Sequence, residues 1–470
     1  MTEFTMTIAG EPAASASTFG VVDPATGRTF AQAPDCTPGQ LDAAMTAASR
    51  AQPAWGRDER GRRDALREAA DLLEAHTDRL AELITAEQGK PLDQARDEVT
   101  ASAVWLRHYA GMELPHEIVQ DDDQGRAEIV ACPLGVVAAI APWNFPVVLA
   151  VWKIAPALLA GNTMVLKPSP YTPLATLYMG ELLRNCLPAG VLNVISGQDP
   201  LGASMAAHPI PRKISFTGST ATGRRVAATA AGDLKRVTLE LGGNDPAIVL
   251  PDAEPEEFAA PIVQSAFVNS GQVCFAVKRL YVPARRHDAW VQALATEAAA
   301  LRVGAGHDDG VQMGPLSNRA QFERVSALVD DARSRGALVA TGGAALPREG
   351  YFYAPTVLAS AADGMAVVDE EQFGPVLPVV PYGEPSDAAA AANASEYGLT
   401  ASVWSPDTDR ADDLARSLEC GQVSINAHGT GVRPDLPFGG FKASGIGMEN
   451  GRWGLEEFTR LQVFTRPPKE

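Results

Sequence analysis

The chain has 470 residues, of which 46% are hydrophobic and 20% are charged, and its formal net charge is −18. This length exceeds what one hydrophobic core usually supports, so we expect a globular protein with two or more domains. The acidic balance argues against a nucleic-acid partner, which would need a basic face.

Cysteine and histidine usage excludes two further classes of protein. The five cysteines include no C-x-x-C pair, and the seven histidines include no H-x-x-x-H pair. The sequence therefore predicts neither a disulfide framework nor a metal site. No basic segment followed by an apolar core opens the chain, and the apolar region 134–166 is broken by prolines and polar residues. We expect a cytoplasmic protein with no membrane partner.

The predicted elements form two alternating blocks after a helical start. Residues 38–111 are predicted to be helical, because apolar residues recur there at helical spacing between charges. From residue 134, strand-like runs alternate with helical stretches, and the same alternation resumes beyond Gly243. Such alternation is typical of doubly wound α/β sheets, which bind ligands at the carboxyl ends of their strands. Leu461, Val463 and Thr465 alternate in the tail, which predicts an edge strand.

One cysteine has unusual surroundings. Cys274 follows the polar, turn-like residues 269–272 in "FVNSGQVCFAVKR", whereas a structural cysteine usually sits among aliphatic side chains. Gly271 suits unusual backbone dihedrals or the close approach of a ligand. Cys274 is therefore a candidate nucleophile that substrate could reach, and a plain cysteine near a loop is the alternative.

Two further segments lie at predicted strand ends. In "ISFTGSTATGRRV" a strand runs through Gly218 and Ser219 into a helix, as in a phosphate cradle. The spacing to Gly223 matches neither the dinucleotide fingerprint nor a Walker motif, so a simple tight turn is the alternative. Glu240 ends the next strand, about 20 residues on, and fits a ribose ligand, a general base or a solvated carboxylate. Spacing does not choose among these three roles.

Asn144 lies between two prolines in "APWNFP", after a predicted buried strand. Its amide could cap the following helix or donate a hydrogen bond to a developing oxyanion. Together the segments supply a nucleophile, a base, an amide donor and a phosphate-binding turn.

These segments and their order resemble the NAD(P)-dependent aldehyde dehydrogenase superfamily over nearly the whole chain. The matching motifs are "PWNFP", "WKIAPALLAGNTMVLKPS", "FTGSTATG", "LELGGN", "GQVC", "EEQFGPV" and "PFGGFKASGIG". The resemblance implies two doubly wound Rossmann-like α/β domains, a small β oligomerisation element, and a homodimer or homotetramer. It places the cofactor domain at 1–118 and 134–241, the catalytic domain at 242–435, the oligomerisation element at 119–133 and 450–470, and a segment returning to the cofactor domain at 436–449.

The resemblance also implies catalytic roles. Cys274 would attack the aldehyde carbon to give a thiohemiacetal, and Asn144, with the backbone amide of Cys274, would hold the oxyanion. Glu240 would activate water to hydrolyse the thioester, which favours a free acid over transfer to coenzyme A. Gly271 would leave room for the nicotinamide ring.

The cofactor implied is NAD or NADP, and its residues carry over from the same motifs. Gly218, Ser219 and Gly223 match the pyrophosphate turn, Lys167 matches a lysine that binds the adenosine ribose, and Glu371 and Phe373 match the pair that places the nicotinamide ribose and ring. Trp143, Thr217 and Leu241 are expected to line the same groove. Core packing is the alternative for Phe373.

Two departures from the family pattern bear on specificity. Pro170 stands where many NAD-preferring members carry a glutamate, so we expect NADP to be tolerated, with Ser169 either donating to a 2′-phosphate or starting a helix. Trp152 stands where succinate-semialdehyde members tend to carry arginine. With Phe145, Val273 and Phe275 it predicts an apolar tunnel and an uncharged aliphatic or aromatic aldehyde.

Other functions stay open at this point. Arg433 lies in a loop that often borders the substrate mouth, where it could bind the carboxylate of a semialdehyde or simply be solvated. A cofactor-independent cysteine esterase and a non-catalytic scaffold are the alternatives from other classes.

Overall fold

The computed structural model describes residues 4–468. Its strands are β1 (Met6–Ile8), β2 (Glu11–Ala13), β3 (Thr18–Asp23), β4 (Arg28–Pro34), β5 (His116–Asp122), β6 (Gly125–Pro133), β7 (Val136–Ile140), β8 (Thr163–Lys167), β9 (Leu192–Val194), β10 (Lys213–Thr217), β11 (Arg236–Glu240), β12 (Asp245–Val249), β13 (Val277–Pro283), β14 (Leu338–Thr341), β15 (Thr356–Ala359), β16 (Val376–Tyr382), β17 (Thr400–Trp404), β18 (Gln422–Ile425), β19 (Gly445–Ile446) and β20 (Thr459–Arg466).

The helices are α1 (Pro38–Trp55), α2 (Glu59–Ala75), α3 (Thr77–Gln88), α4 (Leu92–Gly111), α5 (Val148–Leu159), α6 (Leu174–Leu183), α7 (Asp199–Ala207), α8 (Thr220–Ala231), α9 (Pro255–Phe267), α10 (His287–Ala299), α11 (Arg319–Ser334), α12 (Ala366–Asp369), α13 (Pro385–Asn393), α14 (Thr408–Ala415) and α15 (Gly451–Glu456). Within the described residues, no helix is both long and apolar enough to cross a membrane.

Two large sheets confirm the predicted doubly wound α/β class. The first has the strand order β19-β11-β10-β7-β8-β9-β1-β2, and its five central strands run parallel. The second has the order β14-β15-β16-β13-β12-β17-β18 and is parallel except for β14. Crossover helices make this pattern possible, because parallel neighbours cannot be joined by a tight turn.

Both faces of the second sheet are covered, as its sequence pattern requires. Along β12, Ala247 and Val249 pack in one hydrophobic cluster, while Ile248 and Leu250 pack in another. Successive strand residues point to opposite faces, so the two clusters are the two helix-covered sides of one sheet. A strand buried on both faces reads as a continuous apolar run, which is how this segment appears in the sequence.

The short strands at the start of the chain were not predicted. β1 pairs antiparallel with β2 and β9, and β3 with β4 forms a separate hairpin. Strands of three residues carry too few positions to show a period of two. Their position depends on pairing partners that are distant in the sequence, since Thr7 of β1 lies opposite Val194 of β9.

A third sheet, of order β20-β6-β5, joins the end of the chain to a hairpin from its first quarter. β20 pairs with β6 from Thr459 opposite Pro133 to Arg466 opposite Arg126, and it lies at the sheet edge as predicted. β5 begins at His116, slightly before the predicted start of this element at 119. The domain boundaries themselves remain a prediction.

Candidate active site

Register brings three predicted residues, Thr217, Glu240 and Lys167, to one edge of the first sheet. In the parallel pairs, Thr217 lies opposite Glu240, and Ile140 lies opposite Lys167. The chain leaves β7 toward Trp143 and Asn144, and it leaves β10 toward Gly218 and Ser219. The carboxyl ends of these strands therefore face the same crevice, where ligands of α/β sheets bind.

The segment before Cys274 has an uncommon backbone. Asn269, Ser270 and Gly271 have φ values of 50°, 57° and 70° in succession. A side-chain-bearing residue pays about 1–2 kcal/mol in this left-handed region, so packing and hydrogen bonds must hold the loop in place. The Ser270 hydroxyl donates to the Gly314 carbonyl at 2.9 Å, and the Gln272 amide nitrogen Nε2 donates to the Asn269 carbonyl at 3.0 Å.

Gly271 has the unusual backbone dihedrals that the sequence predicted, with φ 70°. A Cβ atom there would lie 2.2 Å from the carbonyl oxygen of Gly374. The position of a side chain at Gly271 is thus taken by the backbone that follows Phe373, and room for a nicotinamide ring beside this loop stays a prediction. The glycine lets the cysteine loop pack directly against the loop that carries Glu371 and Phe373.

Cys274 and Glu240 lie against each other in a buried, acidic pocket. Cys274 is only 8% exposed and Glu240 only 3%. Burial, and then the Glu240 carboxylate, raise the pKa of the Cys274 thiol well above its usual value. Burial, and then the nearby Glu449, raise the pKa of Glu240. The surroundings therefore favour the neutral thiol, and the cysteine is more buried than the polar turn before it suggested.

The Glu240 carboxyl group has unused hydrogen-bonding capacity. Both of its oxygens are buried, and apart from the neighbouring thiol no described residue offers either one a hydrogen bond of regular geometry. Buried polar groups are normally paired, so such an exception usually marks a functional group. A carboxylate in this position can accept a proton from the thiol or from a water molecule.

Asn144 does not cap the helix that follows it. α5 begins after Val147, which makes no side-chain cap. Instead, Asn144 Nδ2 donates to the carbonyl oxygen of Gln272 at 3.0 Å, which ties it to the cysteine loop. A primary amide has two N–H donors, so the second can point to a substrate oxygen beside Cys274.

The predicted phosphate turn is the start of α8. Ser219 is its N-cap and is exposed at the helix N-terminus. The amides of Ser219, Thr220 and Ala221 have no intrahelical acceptor by helix geometry, so they can meet an anion. The amide of Gly223 already donates to the Ser219 carbonyl at 2.9 Å.

Two residues that were predicted to contact the cofactor, Gly223 and Thr217, make close contacts with other residues of the protein. Gly223 is buried, and a Cβ atom there would lie 2.4 Å from a methyl carbon of Leu241. This glycine therefore lets α8 pack closely on Leu241. The Thr217 hydroxyl accepts a hydrogen bond from Lys153 Nζ at 2.7 Å, and the same ammonium donates to Glu449 at 2.6 Å.

Lys167 and Ser169 lie at the adjacent strand end. Lys167 is 3% exposed, and among the described residues its Nζ donates only to the Pro168 carbonyl, at 3.1 Å. Burial lowers its pKa to about 8, although Asp199 and Asp35 act in the opposite direction. The Ser169 hydroxyl is buried and accepts from the Tyr171 amide at 3.3 Å, which is a turn contact.

Glu371 and Phe373 close the crevice from the second sheet. Glu371 accepts a hydrogen bond from the Gly243 amide at 3.1 Å, and burial raises its pKa to about 7. Phe373 has φ 49° and stands edge-to-face on Trp143, with ring centroids 5.2 Å apart. Both rings are half-buried. The two loops that face each other across the crevice thus come from different sheets.

The residues at this crevice fit a dinucleotide cofactor. The donors are a buried ammonium with spare N–H groups at Lys167 and a helix N-terminus with open amides at Ser219. The acceptor is the carboxylate of Glu371, and the half-buried rings of Trp143 and Phe373 offer an apolar surface. Phosphate, ribose and nicotinamide need these kinds of contact.

Aromatic side chains cluster next to Cys274. Trp152 is stacked on Trp105 with centroids 5.6 Å apart, and it meets Phe438 edge-to-face at 5.4 Å. Phe438 in turn contacts Phe275 at 6.0 Å. Phe438 therefore links Trp152 to Phe275, and neither Phe438 nor Trp105 was singled out from the sequence. Phe438 belongs to the motif "PFGG" quoted above, so that motif could have pointed to this ring.

The other predicted tunnel residues differ in what they contact. Val273 is fully buried next to the cysteine. Phe145 lies with its ring 3.7 Å from the Lys90 ammonium. Arg433 is exposed, and its guanidinium forms two hydrogen bonds to Asp435, at 3.0 and 2.7 Å. Its charge is thus already matched within the loop.

Comparison with known proteins places the chain in one family. The aldehyde dehydrogenase family model matches residues 12–464. A phenylacetaldehyde dehydrogenase of Pseudomonas fluorescens is 41% identical, over 95% of this chain and 92% of that protein. An NADP-dependent succinate-semialdehyde dehydrogenase of Escherichia coli is 38% identical, over 94% and 93%. An aldehyde dehydrogenase from Bacillus cereus, solved as its NAD+ complex, superposes with a TM-score of 0.97 at 36% identity, over 100% of this chain and 97% of that one. The chain therefore belongs to the aldehyde dehydrogenase family.

Proposed function

We propose that this NAD(P)-dependent aldehyde oxidoreductase converts an uncharged aliphatic or aromatic aldehyde into its carboxylic acid, with Cys274, Asn144 and Glu240 as the reacting groups. The observation that carries the proposal is the contact between the Cys274 thiol and a buried Glu240 carboxyl group that has no other hydrogen-bond partner among residues 4–468. This pair can form a covalent intermediate and then release it.

The first half of the reaction uses the thiol and the amide. As the Cys274 sulfur bonds to the aldehyde carbon, its proton passes to the Glu240 carboxylate and the carbonyl oxygen becomes an oxyanion. The free N–H of Asn144 and the backbone amide of Cys274 stabilise that oxyanion. When bound, the nicotinamide would supply the oxidising chemistry as a hydride acceptor, and Cys274 would then carry the acyl group as a thioester.

The second half regenerates the enzyme. Glu240 first releases to solvent the proton that it received from the thiol, and it then takes a proton from a water molecule, whose oxygen attacks the thioester carbon. The carbon–sulfur bond breaks, the acid leaves, and Glu240 returns this proton to the sulfur. The pKa of Glu240 is raised, which makes the carboxylate a stronger base than an ordinary glutamate.

Lys167, the α8 N-terminus at Ser219, and Glu371 are the residues that we propose hold the cofactor, with Trp143 and Phe373 at its nicotinamide end. Pro170 removes the repulsive carboxylate that would exclude a 2′-phosphate, so both NAD and NADP are proposed to bind. The segments around the first sheet form the cofactor domain in this proposal, and those around the second sheet form the catalytic domain.

The substrate proposal rests on the aromatic cluster and on the Arg433–Asp435 ion pair. Phe275 directly follows Cys274 in the chain, and Phe438 joins its ring to that of Trp152, which makes the surroundings of the cysteine apolar. Arg433 would have to break its contacts with Asp435 to bind a substrate carboxylate. This combination favours an uncharged aldehyde over a semialdehyde.

A panel of aldehydes tests the proposal. The enzyme is mixed with NAD or NADP and with short aliphatic, aromatic and semialdehyde substrates, and the absorbance of the reduced nicotinamide is followed. We expect kcat/KM for aromatic and aliphatic aldehydes to exceed that for succinate semialdehyde, with both cofactors active. Activity on semialdehydes alone would contradict the substrate class, and ester hydrolysis without cofactor reduction would contradict the reaction.

The three-stranded sheet is proposed as the assembly element of a homodimer or homotetramer. Its outer strands expose Ile118 and Val119 on β5, and Leu461, Val463 and Phe464 on β20. Exposed apolar side chains on edge strands are usually covered by another chain. Light scattering on the purified protein measures the mass, and a mass of one subunit at micromolar concentration would contradict this assignment.

A further inference from the structure

A buried ion pair lies behind the segment that carries Asn144. Lys90 follows the end of α3, Glu98 lies in α4, and their charged atoms are 2.6 Å apart with both side chains fully buried. Neither residue takes part in the chemistry described above. A buried ion pair often contributes little net stability, because the cost of removing two charges from water offsets their attraction. Its contacts with other residues therefore indicate what it does.

Lys90 contacts the Asn144 segment from one side. Its Nζ donates to the backbone carbonyl of Asn144 at 2.8 Å and lies 3.7 Å from the ring centroid of Phe145. Asn269 Nδ2, from the cysteine loop, donates to the same carbonyl at 3.0 Å. The Asn144 carbonyl thus accepts two hydrogen bonds, one from Lys90 and one from Asn269 in the cysteine loop.

Glu98 contacts the same segment from its other end. Its Oε1 accepts hydrogen bonds from the amides of Val147 and Val148, at 2.8 and 3.3 Å. These amides open α5, and the N-cap residue makes no side-chain hydrogen bond of its own. The carboxylate therefore replaces a missing cap and favours the positive end of the helix dipole. Between them, Lys90 and Glu98 hold residues 144–148 at both ends.

A second buried lysine shows that such a pair need not touch the site. Lys213 is fully buried, lies 3.5 Å from Glu457 and 4.9 Å from the ring of Phe458, and donates to Thr238. None of these partners is a proposed active-site residue. Lys213 thus resembles Lys90 in burial, charge pairing and aromatic contact while lacking the link to Asn144.

We propose that Lys90 and Glu98 are positioning residues that aim the Asn144 amide at the oxyanion formed on Cys274. This inference rests on the proposed role of Asn144 as an oxyanion donor. A displacement of about 1 Å in such a donor costs on the order of 10²-fold in rate, so a rigid backing is needed. Because Lys90 also contacts Phe145, the same pair fixes one wall of the aldehyde tunnel.

The test is a double-mutant cycle on the acylation step. Lys90→Met keeps an apolar stem over Phe145 and removes the ammonium. The rate of the first burst of reduced nicotinamide is measured in a stopped-flow instrument for Lys90→Met, Asn144→Ala and the double variant. Cofactor Kd and the melting temperature are measured for each, and Lys213→Met is the matched control.

We expect Asn144→Ala to slow the burst by about 10²–10³-fold and Lys90→Met to slow it by roughly 10–100-fold. Cofactor Kd should stay within about twofold, since Lys90 does not touch the cofactor crevice. In the Asn144→Ala background, Lys90→Met should cost less than about threefold, because the group it aims is already gone. Lys213→Met should leave the burst rate near that of the unmodified enzyme.

The positioning role would be overturned if the losses in burst rate of the two single variants multiplied in the double variant. It would also be overturned if Lys213→Met slowed the burst as much as Lys90→Met. Either result would leave the role of Asn144 intact. An undiminished burst in Asn144→Ala would instead overturn the oxyanion donor, and the positioning role with it. If Lys90→Met does not fold, Glu98→Gln replaces it in the cycle. That variant keeps an oxygen acceptor for the α5 amides and removes the charge, so we expect a smaller loss with the same coupling to Asn144.

Discussion

Replacing Glu240 by glutamine separates the two halves of the reaction. The change keeps the size of the side chain and removes the base that we propose deprotonates water. General bases contribute about 10²–10⁴-fold, which at about 1.4 kcal/mol per decade is roughly 2.7–5.4 kcal/mol of barrier. We expect Glu240→Gln to lower kcat by that factor.

Acylation should be affected less, because two effects of the substitution oppose each other. The thiol loses a proton acceptor, which slows attack. The thiol also loses the adjacent carboxylate that raises its pKa, which favours ionisation at a given pH. The first turnover should therefore still release up to one equivalent of reduced nicotinamide per subunit, followed by a very slow steady state.

The assay is stopped-flow absorbance with enzyme at micromolar concentration and saturating cofactor and aldehyde. Cys274→Ala is the negative control and should show neither burst nor turnover. Glu87→Gln is the matched control, because Glu87 is also buried with its pKa raised to about 8, yet it accepts from the amides of Leu174 and Ala175 at the start of α6. Loss of the burst together with turnover in Glu240→Gln would refute a role restricted mainly to deacylation.

Two more outcomes follow from the loops that meet across the crevice. Gly271→Ala should lower kcat by roughly 10–100-fold, because its Cβ would displace the Gly374 backbone and shift the cysteine loop. Gly336 is the control: its φ is 99°, but no atom lies within 4 Å of a new Cβ, so Gly336→Ala should keep full activity. Equal effects of the two variants on kcat would contradict this reasoning. Burial raises the pKa of Glu371, the proposed ribose ligand, to about 7, so if the carboxylate form binds the ribose hydroxyls, cofactor affinity should be full well above pH 7 and fall as the pH drops through 7. Fluorescence titration from pH 5.5 to 8.5 measures this, and an equally steep profile in Glu371→Gln would assign the titration to another group.

The sequence by itself determined the fold class and the chemical groups. Apolar runs with a period change between strand and helix, as along β12 and α8, are local properties, so they could be recognised without tertiary information. The motif around Cys274, the strand-end Glu240 and the Asn144 between prolines were recognisable for the same reason. The type of each group limits the chemistry it can perform, wherever it lies in space.

Only the tertiary structure decided what these groups touch. Burial among acids raises the pKa of Cys274, where the polar turn before it suggested an accessible thiol. Phe438, which lies far along the chain from Trp152 and Phe275, contacts both rings. The Lys90 ammonium meets the Asn144 carbonyl across 54 residues of sequence. Such contacts depend on the packing of distant segments, and no local pattern records them.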